Sequence, residues 1–147
     1  MSAQGTWEDL VTDLCDLAVR HDATTFLYES VVVLSSHSAR LDNGAAASIR
    51  VTRFDDEAAR VEAGWCLDMV VDYVTDDATR PCPALALVDA ICAGDAEEHS
   101  LIGADGRWIG IYCHAWGPTG AWRLGNPDAA PNRAIRRFPR WLGAKID

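Results

Sequence analysis

The 147-residue chain lacks a CxxC pair, has a single lysine, and contains no apolar run near the roughly 20 residues that a membrane span requires. The first absence removes the thioredoxin-type redox motif and the common zinc-ribbon spacing. Five cysteines remain: Cys15, Cys66, Cys82, Cys92 and Cys113. An odd, scattered set does not suit a secreted disulfide scaffold, so reduced thiols filling a core are expected. The opening MSAQGTWEDL has neither the basic nor the apolar region of a signal peptide. These features lead to the expectation of a cytoplasmic protein without a membrane partner. Repeats, low-complexity tracts and interdomain linkers are also missing, so residues 1–147 read as one domain.

Motifs for common chemistries are missing too. Gly103, Gly106 and Gly110 lead into a strand rather than a helix, which excludes a phosphate-binding fingerprint. Ser35-Ser36-His37 lacks the context of a nucleophile elbow. No catalytic residue, metal ligand or cofactor is assigned on this basis.

What the chain has is acid. Net charge is −9, and the last fifteen residues carry Arg133, Arg136, Arg137, Arg140 and Lys145 against Asp147 alone. Those fifteen contribute +4, leaving the first 132 residues at −13. Such a body repels nucleic acid and suits a basic protein partner. Acidity that serves only solubility is the competing explanation.

Thr6 and Asp9 form a helix start signal, and Trp7, Leu10, Val11, Leu14, Leu17 and Ala18 fall on one face of the helix that follows. Thr25–Ser36 reads as one strand from its β-branched and aromatic residues. A second strand alternates Ala47, Ile49 and Val51 with polar neighbours. A third is centred on WCLDMVVDY, with residues 57–63 as a possible part of it. Pro83 and Gly94 bracket a second helix with an apolar stripe at Ala84, Leu87, Val88, Ile91 and Cys92. Residues 97–104 and 107–116 form two strands around Asp105-Gly106, and Ala121-Trp122-Arg123-Leu124 suggests a short strand after them. A last amphipathic helix is expected over 130–138, ending at Pro139. The predicted fold class is α+β: a single antiparallel sheet of about five strands with helices packed on one face, in the order α-β-β-β-α-β-β-α.

The Asp105-Gly106 hairpin gives the sharpest expectation. A two-residue loop makes paired residue numbers sum to 211. Ile102 then faces Ile109, and Ile109, Ile111 and Cys113 share the apolar side. On the opposite side Glu97 faces His114 and His99 faces Tyr112, flanked by Trp108 and Trp116. Cys113 and His114 diverge, so a thiolate–imidazole dyad is not expected. Glu97, His99, Tyr112, His114, Trp108 and Trp116 are the candidate binding residues, because Trp, Tyr and His favour interfaces and clefts. Two histidines and a carboxylate are also elements of a metal or acid–base site, which keeps a small-molecule or metal-binding function, enzymatic or regulatory, as the alternative.

Trp7, Leu10, Leu14 and Leu17, followed by this element order, resemble the type III secretion chaperone-like family. The resemblance implies a small acidic cytosolic binding protein, often a homodimer, without catalysis. It carries over no functional residue, and residues 57–74 and the arginine-rich end depart from it. The leading functional expectation is a non-enzymatic acidic module of chaperone or immunity (antitoxin) type that binds a basic protein.

Overall fold

The computed structural model describes residues 5–76, 79–118 and 120–141. The chain begins with helix α1, Trp7–Arg20. Thr6 caps it reciprocally: the Asp9 amide donates to the Thr6 hydroxyl, and the Thr6 amide donates to the Asp9 carboxylate, both at 3.1 Å. Such a cap is worth about 1 kcal/mol. Trp7, Leu10, Leu14, Leu17 and Ala18 are buried along one side. His21 closes the helix, and Asp22 at φ 53° turns the chain back.

Five strands then run as an antiparallel meander, β1 (Ala23–Leu27), β2 (Val31–Arg40), β3 (Ala46–Arg53), β4 (Ala58–Ala63) and β5 (Leu67–Asp72), each paired with the next. Register puts Val32, Val51, Val61 and Met69 in one row and Leu34, Ile49, Ala63 and Leu67 in another. Both rows are buried. Alternation along each strand leaves Arg50, Arg60, Glu62, Asp68 and Val70 on the outer face, as a period of two requires.

Helix α2, Pro83–Cys92, starts with proline in its first turn and leads into a second sheet. That sheet has β6 (Ala96–Ile102), β7 (Trp108–Gly117), β8 (Gly120–Leu124) and β9 (Asn132–Arg137), in the spatial order β8-β7-β6-β9. One apolar cluster unites both helices, the inner face of the meander, and Ala96, Cys113 and Ala115 of the second sheet. Among the described residues no helix is long and apolar enough to cross a membrane.

The expected single sheet of about five strands, with helices on one face, is therefore wrong. There are two antiparallel sheets, of five and four strands, and two helices among the described residues. Three local errors account for it. Thr25–Ser36 is a hairpin, because the Tyr28 amide bonds to the Val31 carbonyl and the chain reverses at Glu29-Ser30. Residues 57–74 hold two strands, reversed at Gly64, whose φ of +61° suits glycine. The segment 130–138 is not a helix: residues 132–137 are an edge strand paired with β6. The short strand expected at Ala121–Leu124 is present as β8.

Candidate functional site

Across the smaller sheet, pairs from Ala96–Ala115 to Leu101–Gly110 all sum to 211, with Glu97 opposite His114 and His99 opposite Tyr112 on its outer side. The loop reaches this register by another route. The Gly106 amide donates to the Gly103 carbonyl, and the Gly103 amide to the Arg107 carbonyl, so three residues turn the chain rather than two. Ile102 consequently pairs with Trp108, and Ile109 is left as an extra residue that restores the register. Ile109 is thereby exposed instead of facing Ile102 inward, and Trp108 points to solvent away from the other rings.

The remaining candidates do come together. His99 sits edge-on to Tyr112 at 5.1 Å, and His114 lies 6.2 Å from Tyr112 and 5.2 Å from Trp116. Yet His99 and Tyr112 are only 6% and 5% exposed. His99 Nε2 meets the Glu97 carboxylate at 3.1 Å, and Arg133 meets Nδ1 at 3.3 Å. Arginine can only donate, so Nδ1 accepts and the neutral Nε2–H tautomer fits both bonds. No ring nitrogen of His99 is left for a metal or for proton transfer. Arg137 stacks on Trp116 at 5.0 Å while its Nε donates to the Gly94 carbonyl at 2.7 Å. Arg123 lies opposite His114 on the other flank. The face is basic, and much of its polar equipment is spent on itself.

A different surface combines open apolar groups with acid. The meander sends its β1–β2 and β3–β4 turns to one end, where the Arg53 amide donates to the Ser30 carbonyl. The Tyr73 hydroxyl donates to the Asp55 carbonyl at 2.8 Å, and Trp7 packs on Tyr73, bringing the start of α1 to the same end. Leu27, Tyr28 and Phe54 are 57%, 64% and 62% exposed there. On the same turns and the first turn of α1 stand Glu8, Glu29, Asp55, Asp56 and Glu57, all exposed, with Arg53 paired to Asp56 at 2.6 Å. Trp7, Val11, Leu27, Tyr28 and Glu29 line a groove between α1 and the first turn. Farther along α1, partial burial, then Asp16 and Asp9, hold the Asp13 carboxyl above its ordinary range.

Sequence reasoning missed this end because Tyr28 was read as mid-strand. The signal was present: aromatic residues directly beside acids in YES and FDDE, at turns that carry no Gly or Pro.

The third feature is internal. Cys113 is fully buried, as expected for the apolar side, and burial pushes its thiol up to about 11. Its Sγ lies 3.9 Å from that of Cys66, whose thiol is raised further by burial and then by Glu98. Both are thiols rather than thiolates at neutral pH, which slows their attack without abolishing it. Glu98, only 3% exposed, accepts from the backbone amides of Trp65 (3.0 Å), Cys66 and Leu67 (2.9 Å). One carboxylate thus ties β6 to the β4–β5 turn. Among the described residues, Cys66, Glu98 and Cys113 are the only three potential metal ligands that gather; Glu97, His99 and His114 do not.

No protein-family model, curated protein or solved structure matches this chain.

Proposed function

We propose that this protein is a non-enzymatic binding module that holds a basic protein partner at its acidic end, as a chaperone or an immunity protein of antitoxin type would. The observation that carries this reading is the exposure of Leu27, Tyr28 and Phe54 at an end that also carries five exposed carboxylates. Aromatic anchors supply most of an interface's energy, and surrounding charges steer encounter and select the partner's sign. The acids at the two turns come from a body of net −13 over its first 132 residues, so the local field and the long-range field have the same sign. The element order behind the resemblance to secretion chaperones differs from the observed order, and the reading does not rest on it.

The test is affinity capture from native lysate at two salt concentrations, comparing the wild-type chain with a Tyr28→Ala/Phe54→Ala variant and a Glu8→Lys/Glu29→Lys variant. A basic protein retained by wild type at low salt, weakened at high salt and lost from both variants is the expected outcome. Equal capture by all three chains refutes the assignment of this surface.

A further inference from the structure

We propose that Cys66, Cys113 and Glu98 form a binding site for a thiophilic divalent metal ion of the zinc class. The three side chains come from the β4–β5 turn, β7 and β6, and their ligating atoms all lie within 4.8 Å of one another. A tetrahedral ion bound to two thiolates at about 2.3 Å holds the sulfurs about 3.8 Å apart. The two sulfurs are already 3.9 Å apart.

Glu98 is equipped to be the third ligand. A carboxylate offers about four lone-pair sites, and the backbone uses three of them here. Its Oε2 accepts from the Cys66 and Leu67 amides and Oε1 from the Trp65 amide, while the Cys66 thiol also hydrogen-bonds to this carboxylate, a contact that loss of the thiol proton would release. The same three bonds fix the carboxylate in place, which lowers the cost of ordering a ligand. A cavity of about 80 Å³, bordered by Trp65, Glu98, Arg136 and Phe138 but by neither cysteine, reaches the carboxylate and offers a way in from the surface on the Glu98 side.

Charge balance does not oppose occupancy despite the burial. Two thiols and one carboxylate carry −1. Binding releases the two thiol protons to solvent and adds an ion of +2, so the buried cluster stays at −1. Burial opposes each thiolate alone but does not oppose this exchange. Bound metal would join the turn of the larger sheet to two strands of the smaller one.

Reduced, chelator-treated full-length protein is titrated with cobalt(II), then with zinc(II). The expected result is one equivalent of cobalt with thiolate-to-cobalt charge-transfer absorption, abolished by zinc. Zinc at a hundredfold excess over Kd should raise the thermal midpoint by about 5–10 °C. Cys66→Ser/Cys113→Ser loses the absorption and at least tenfold in zinc affinity, while Cys15→Ser keeps both. If the double variant does not fold, alkylation of the native chain decides: zinc slows labelling of Cys66 at least tenfold and leaves Cys15 unchanged. Absent charge-transfer absorption, unchanged uptake by a folded double variant, or labelling of Cys66 that ignores zinc overturns the proposal. So does a Cys66–Cys113 disulfide that, once reduced, takes up no metal.

Discussion

The acidic end of the five-stranded sheet and the outer face of the four-stranded sheet both display aromatic residues, but they use them in opposite ways. At the acidic end, Tyr28 and Phe54 stand in turns with most of their surface in water. On the smaller sheet, Tyr112 and His99 are buried, and Trp116 lies under Arg137. The charges differ as well: carboxylates share an end with the first pair, whereas Arg123, Arg133 and Arg137 flank the second. A summed charge and a list of aromatic residues merge these two surfaces into one, and the fold separates them. What separates a working surface from a structural one here is whether its side chains already have partners. The smaller sheet should therefore fail by unfolding when cut, and the acidic end should fail by losing binding.

The largest effect is expected just beneath the smaller sheet. Glu98→Ala removes the acceptor of three backbone amides at once. Each buried donor left unpaired costs about 1–3 kcal/mol, so a loss of about 4 kcal/mol is expected after partial relaxation. Urea denaturation measures it, and a loss below about 1 kcal/mol would show that the tie between the sheets is dispensable. Tyr112→Ala comes next, at about 2–3 kcal/mol, because it removes a buried ring that packs on His99. A stable Tyr112→Ala variant would break the contrast and return the smaller sheet to candidacy as a binding face.

How far these surfaces could be foreseen follows from the local chemistry. Helix α1 was readable because Thr6, Asp9 and the spacing of Leu10, Leu14 and Leu17 agree with one another. The 211 register of β6 and β7 holds from Ala96–Ala115 to Leu101–Gly110 but fails at Ile102, which faces Trp108, because a loop one residue longer than expected is offset by a bulge at Ile109. The β1–β2 turn was hidden because Tyr28-Glu29-Ser30 contains none of the usual turn-forming glycine, proline or asparagine. At Gly64 the punctuation was present, but apparent alternation ran straight across it. Arg133, Arg136, Arg137 and Arg140 satisfy a helical spacing, yet Arg133, Ile135 and Arg137 also satisfy a period of two, and pairing with β6 decided the matter. The cluster of Cys66, Glu98 and Cys113 had no readable signal, since its members are 32 and 47 residues from Cys66 in sequence. The first two misses were local turns that the residue pattern did not settle, and only in the third did a partner far along the chain, β6, set the outcome.

A smaller effect sharpens the comparison by showing what a half-exposed structural contact looks like. His21 Nε2 meets the Asp89 carboxylate at 2.9 Å where α1 and α2 approach. This hydrogen bond holds the Asp89 carboxyl below its ordinary value, against the opposing pull of partial burial. A carboxyl with a lowered folded pKa contributes stability at pH values above its unfolded value near 3.8. That contribution is lost as pH falls through the folded value. Asp89→Asn should therefore destabilise the protein at pH 6 by under about 1 kcal/mol, given how much solvent screens the pair. The gap in thermal midpoint between variant and wild type should shrink as pH falls below 3.8 and close once Asp89 is protonated in the folded chain. A gap that persists unchanged into acid would mean that packing, not charge, distinguishes the two chains.

The smallest expected effect on stability tests the acidic end itself. Tyr28 and Phe54 are more than half exposed and lie in turns, so truncating both removes little buried area. Surface changes of this kind fall within about 0.5 kcal/mol. The Tyr28→Ala/Phe54→Ala chain should therefore unfold at the same urea midpoint as wild type while losing its partner by about thirtyfold or more, as an interface anchor does. The two measurements have to be made on the same preparation, because only their divergence separates a docking surface from a folding one. If the urea midpoint falls along with binding, the rings support the turns between β1 and β2 and between β3 and β4. The two surfaces would then be alike after all, each holding the fold together, and the partner would have to be sought elsewhere on the molecule.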